Sequence, residues 1–69
     1  MEKISTKQQE LYDFIKKYIK NYGYSPTIRE ISSVFQKSLG SIHPMLKRLK
    51  ERGLIDYEER KSRTIKILK

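Results

Sequence analysis

A chain of 69 residues with no cysteine and one histidine, His43, has neither disulfides nor the ligands for a thiolate or histidine metal site, and no cofactor is implied. One domain of this length buries only about 60% of its unfolded surface, so its apolar core must hold it alone, while sixteen Lys and Arg against eight Asp and Glu leave a charge of +8 that favours an anionic partner. No stretch approaches the ~20 apolar residues of a membrane span, and the polar start from Met1 to Ser5 lacks the apolar core of a signal peptide, so the expected location is cytoplasmic, with no membrane partner.

Ser5 with Gln8 three residues on has the spacing of a capping box at a helix start. Leu11, Phe14, Ile15, Tyr18, Ile19 and Tyr22 then recur at helical intervals and make one amphipathic face. Gly23 suits the left-handed residue that ends a helix, and Pro26 prevents continuation, so the first helix is expected over Thr6 to Tyr22. Thr27 and Glu30 repeat the capping-box spacing before a short stripe of Ile31, Val34 and Phe35, which predicts a second helix of about two turns. After the break at Gln36, Lys37 and Ser38, helical spacing resumes at Leu39, Ile42, Met45, Leu46 and Leu49, and Gly53 supplies the stop.

Beyond Gly53 the period becomes two. Ile55 and Tyr57 alternate with Asp56 and Glu58, and Ile65 and Ile67 alternate with Thr64 and Lys66, which predicts a β-hairpin around Glu59 to Ser62. That turn lacks the Asn-Gly or Asp-Gly pair of tight hairpins, so its register is open. The order α-α-α-β-β, with the second and third helices closely joined, is a winged helix-turn-helix: mainly α, a three-helix bundle plus a small hairpin wing, in a single domain over residues 1–69. Phe14, Tyr18, Tyr22 and Phe35 fall on predicted core faces, which weighs against aromatic platforms for single-stranded bases; Tyr12 and Tyr24 have no assigned face.

A helix-turn-helix delivers the N-terminal part of its second helix to the major groove. At ~100° per residue, Leu39, Ile42, Leu46 and Leu49 cluster on the inner side of that helix. The opposite side carries Gly40, His43, Pro44, Lys47 and Glu51, with Ser41 and Arg48 on a flank. Ser41 and His43 are the candidates for base edges, and Lys47 and Arg48 for phosphates. In the wing, Arg60, Lys61 and Arg63 can reach phosphates or a narrow minor groove. A solvated helix face and a charged turn that blocks edge-to-edge pairing are the plain alternatives; helix 2 and the wing on either side favour contact with DNA. Residues 41–69 hold a charge of +5 and residues 1–40 only +3, which points to the C-terminal half as the contact surface.

Pro44 conflicts with a regular helix. Counted from a cap at Ser38 it lies in the second turn, deletes the bond to the Gly40 carbonyl and costs ~3 kcal/mol. Either the helix bends there, with Gly40 relieving the crowding, or it starts at Ser41 and Pro44 falls in the first turn, where no donor is lost. Both alternatives predict an irregular backbone between Ser38 and Pro44.

Over nearly its whole length the sequence resembles the N-terminal DNA-binding domain of LexA repressors. The likeness is carried by Lys7-Gln8-Gln9 with Phe14-Ile15, and by the run from Gly23 through Tyr24-Ser25-Pro26-Thr27-Ile28-Arg29-Glu30 to Ile31. Leu46, Leu49 and Gly53-Leu54-Ile55 add to it, as do Arg63-Thr64-Ile65 with Ile67-Leu68. The resemblance implies a winged helix whose third helix reads an operator in double-stranded DNA, and it places Ser38, Gly40, Ser41, His43 and Pro44 at the base-reading stretch. It also implies a transcriptional repressor. Two departures stand out: the turn between the second and third helices is about one residue shorter and has Gln36 at its left-handed position, and most residues of the reading stretch differ. LexA repressors continue into a self-cleaving, dimerising domain with a Ser-Lys dyad that these residues do not encode. The natural-looking start and finish raise the expectation of a free-standing relative, without damage-triggered cleavage. No nucleophile-base pair or spaced carboxylates suggest an enzyme. The alternative function is a winged-helix module that docks on a host repressor or the transcription machinery without reading sequence. One winged helix reads a half-site, so a second copy or another DNA-binding protein is the expected source of high affinity.

Overall fold

A computed structural model describes residues 5–69; Met1 to Ile4, and with them the polar start weighed against a signal peptide, lie outside the described residues. Three helices, α1 (Thr6–Tyr22), α2 (Ile28–Phe35) and α3 (Leu39–Glu51), precede two short strands, β1 (Ile55–Asp56) and β2 (Lys66–Ile67). This is the winged helix-turn-helix expected from the sequence.

Local chemistry explains the first two helices. Ser5 Oγ accepts the Gln8 amide at 3.2 Å while Gln8 Oε1 accepts the Ser5 amide at 3.3 Å. At the other end of α1, Gly23 takes φ 80° and its N–H reaches the Ile19 carbonyl at 2.8 Å. Thr27 and Glu30 close the same reciprocal pair on α2 at 3.0 and 2.8 Å. Gln36 ends α2 at φ 54°, ψ 45°, the left-handed position expected of it, at a cost of roughly 1 kcal/mol for a residue with a Cβ.

Helix α3 corrects one of the two alternatives raised by Pro44, the restart at Ser41. It is one α-helix from Leu39 to Glu51 with Pro44 inside it and Ser38 as cap, neither restarted at Ser41 nor interrupted. The first turn is tightened, since the amides of Ser41 and Ile42 both reach the Ser38 carbonyl, at 3.0 and 3.1 Å. The reason is packing: Ile42, Leu46 and Leu49 are fully buried, and at ~1.5–3 kcal/mol each their burial outweighs the proline's cost of ~3 kcal/mol. Gly40, whose carbonyl loses its donor, is exposed.

The core joins Leu11 and Ile15 of α1, Ile31 of α2, those three residues of α3, and Ile55 and Ile65 of the wing. Three side chains depart from the expected faces. Tyr22 and Val34 are each 59% exposed and Leu39 is 39% exposed, because each stands at the edge of a stripe whose centre already fills the interior. Tyr12, to which the sequence assigns no face, is buried, and its hydroxyl donates to the Lys69 carbonyl. Phe14, Tyr18 and Phe35 are half-buried, with the Phe14 and Phe35 rings edge to face at 5.5 Å between centroids.

The hairpin register is Ile55 opposite Ile67 and Asp56 opposite Lys66, antiparallel. The ladder is shorter than the alternation suggests, since side chains take over its hydrogen bonds. Asp56 Oδ1 accepts the Tyr57 amide at 2.8 Å, and Thr64 Oγ1 accepts the Glu58 amide at 3.0 Å. Arg60 and Arg63 adopt positive φ of 66° and 56° to close the turn.

Candidate nucleic-acid interface

The outward side of α3 is exposed at Gly40, Ser41, His43, Pro44, Lys47 and Arg48. At ~100° per residue, Leu39 and His43 face one side, Gly40, Pro44 and Lys47 point outward, and Ser41 and Arg48 lie on the far flank. Ser38 Oγ donates to Ser41 Oγ at 3.3 Å, which leaves the Ser41 proton available for another acceptor. A Cβ at Gly40 would meet only Ser38 Oγ, at 3.8 Å. The protein interior therefore does not demand glycine there.

Between α3, the start of α2 and the wing lies an open cleft of about 630 Å³. Its apolar lining includes Ile28, Leu39, Leu46 and Ile65, and its rim carries Arg29, His43, Arg60 and Lys61. The fold thus gathers His43, Arg60 and Lys61, which are far apart in sequence. Ser38, Gly40, Ser41, Pro44, Lys47 and Arg48 remain on the α3 surface outside the cleft.

Arg29 and Leu39 were not among the residues singled out from sequence as site candidates. One signal for Arg29 was present: it is a cation in the first turn of a helix, where the macrodipole disfavours positive charge. Among the described residues, Arg29, Lys47, Arg48, Arg60 and Lys61 are exposed and make no ion pair.

Arg63 lines the same cleft, but its guanidinium is committed inward. Nη1 and Nη2 donate to Glu30 Oε1 and Oε2 at 3.2 and 3.0 Å, Nη1 also donates to the Ser25 carbonyl at 3.0 Å, and the group lies 4.8 Å from the centre of the Tyr24 ring. The Thr27 amide first, then Arg63, hold the Glu30 carboxyl below its ordinary 4.5, against a smaller opposing effect of burial. Nearby, the Ile65 amide donates at 3.2 Å to Ser25 Oγ, on a residue only 3% exposed. Glu30, the N3 partner in the capping box of α2, is therefore also an anchor of the wing. Lys50 fastens the other side: its Nζ donates to the Tyr57 carbonyl at 3.1 Å, lies 3.6 Å from Asp56 Oδ1 and sits 4.7 Å from the Tyr57 ring centre.

No helix among the described residues is long and apolar enough to cross a membrane, and no group of three or more His, Cys, Asp or Glu that could hold a metal ion is found among them.

The model of the family described as LexA DNA binding domain matches residues 1–64. Among curated relatives, the chain is 41% identical to a LexA repressor of Clostridium kluyveri over 97% of its own length and 34% of the relative's. It is 44% identical to one of Exiguobacterium sp. over 99% and 34%, and 45% identical to one of Listeria monocytogenes over 96% and 33%. The chain thus spans about a third of the length of these relatives.

Proposed function

The chain belongs to the LexA DNA-binding domain family, and from that membership we propose that it is a LexA-like transcriptional repressor domain that binds double-stranded DNA sequence-specifically through α3 and the wing. It acts where bacterial DNA lies, in the cytoplasm. Ser41 and His43 read base edges, with Ser38, Gly40 and Pro44 shaping the reading stretch. The open space at Gly40 suits close approach of DNA to the helix backbone. Lys47, Arg48, Arg60 and Lys61 hold phosphates, and Arg29 joins them from α2. Arg63 serves this interface by positioning the wing, a role supported by its internal bonds to Glu30 and Ser25. High affinity comes from a second copy or another DNA-binding protein on the adjoining half-site.

The observation that carries this reading is the exposed outward side of α3 set beside a cleft rimmed by cations from two other elements. Phosphates supply affinity through such cations, and base edges supply specificity through the helix between them. Selection of bound duplexes from a random pool tests it. An enriched motif is expected, with His43→Ala losing roughly 5- to 150-fold on that motif and little on scrambled DNA. Retention of duplex without enrichment, or equal loss on both duplexes, would refute sequence reading by α3.

A further inference from the structure

Leu39 opens α3 and is 39% exposed. The interior does not need it, because Ile42, Leu46 and Leu49 already close the buried side of this helix. It lines the cleft together with His43, one turn further along on the same side, and Arg29, Arg60 and Lys61 line the cleft around them. An apolar group in a cationic frame is poorly suited to an apolar protein partner, which would desolvate the cations without pairing them. It suits duplex DNA, whose phosphates meet the cations. Within the major groove the base edges present hydrogen-bonding groups and one apolar group, the C5-methyl of thymine.

We propose that Leu39 is a specificity-determining residue that reads thymine by packing on its C5-methyl group. This rests on the assignment of α3 as the DNA-reading helix. The deoxyribose faces are the other apolar surface of DNA, but they are the same at every base pair. Contact with a sugar would raise affinity without selecting sequence. Leu39 stands at the N-terminal end of the helix, the end a helix-turn-helix presents to base edges.

The test changes the DNA before it changes the protein. In the selected duplex each thymine is replaced in turn by deoxyuridine, which pairs identically and lacks only the methyl group. At one thymine the unmodified protein should bind about fourfold more weakly, the factor that burial of one methyl-sized group supplies. Leu39→Ala should bind the thymine and deoxyuridine duplexes equally at that position. Indifference of the unmodified protein to every replacement would overturn the proposal, as would a selected motif without thymine. If Leu39→Ala keeps the discrimination, another group reads the methyl; if it loses affinity uniformly on selected and scrambled duplexes, the contact is with sugar, and either result overturns it. Absence of any enriched motif would overturn the DNA-reading assignment as well. An enriched motif insensitive to deoxyuridine overturns the role of Leu39 alone.

Discussion

Replacing Arg29 by alanine asks whether the start of α2 belongs to the DNA interface. Among the described residues, five exposed cations without an ion pair stand on or beside α3 and the cleft: Arg29, Lys47, Arg48, Arg60 and Lys61. If each neutralises a phosphate, the logarithm of affinity falls with the logarithm of salt at a slope of about −4.5. Arg29→Ala should bring the slope to about −3.6, and Arg29→Ala with Lys61→Ala to about −2.7. Between ~50 and ~200 mM salt, affinity then drops about 500-fold for the unmodified protein and about 150-fold for the single variant. The loss should be the same on selected and scrambled duplexes, because a phosphate carries no sequence information. Fluorescence anisotropy titrations across a salt series on both duplexes measure all of these quantities. A slope unchanged by Arg29→Ala while Lys61→Ala lowers it would place DNA away from α2 and refute the cleft-centred arrangement. A loss confined to the selected duplex would make Arg29 a base contact instead.

Arg63→Lys keeps the charge but not the two-pronged bond to Glu30, so hydrogen exchange at the Ile65 amide should accelerate in the free protein; unchanged protection would mean that the latch does not hold the wing. Gln36→Gly removes a Cβ from a left-handed position and should stabilise by about 0.5–1 kcal/mol, a rise in Tm of roughly 2–8 °C. A fall in Tm on thermal melting would show that unfolded-state entropy outweighs the relieved strain. Pro44→Ala restores a donor for the Gly40 carbonyl and should stabilise by up to ~3 kcal/mol in denaturant titration; a destabilised variant would show that α3 accommodates the ring without cost.

The helix boundaries are legible in the sequence because their signals are local. Ser5 with Gln8, and Thr27 with Glu30, each close a hydrogen-bonded ring within four residues, and the apolar periods state which side of each helix turns inward. The left-handed Gln36 can likewise be read from its place in the turn. Base-reading candidates on α3 follow from the same geometry, since a helix with Ile42, Leu46 and Leu49 inward must expose Gly40, His43 and Lys47. The effect of Pro44 is not local. A short-range penalty predicts a bend or a restart at Ser41, and burial against α2, α1 and the wing keeps the helix continuous from Leu39. Nor can the sequence tell a committed cation from an uncommitted one: Arg63 and Lys61 look alike in a charged turn. Only the fold brings Glu30, 33 residues away, against the first of them. Leu39, Val34 and Tyr22 match their helical periods as well as the buried residues do, and are left exposed only because neighbouring elements occupy the interior. Arg29 enters the cleft by the same route, because the docking of the wing against α2 puts residues 29 and 60 on one rim. Caps and periods are properties of a few consecutive residues, whereas the commitment of each charge and the filling of the core depend on which distant side chains arrive first at a shared, limited volume.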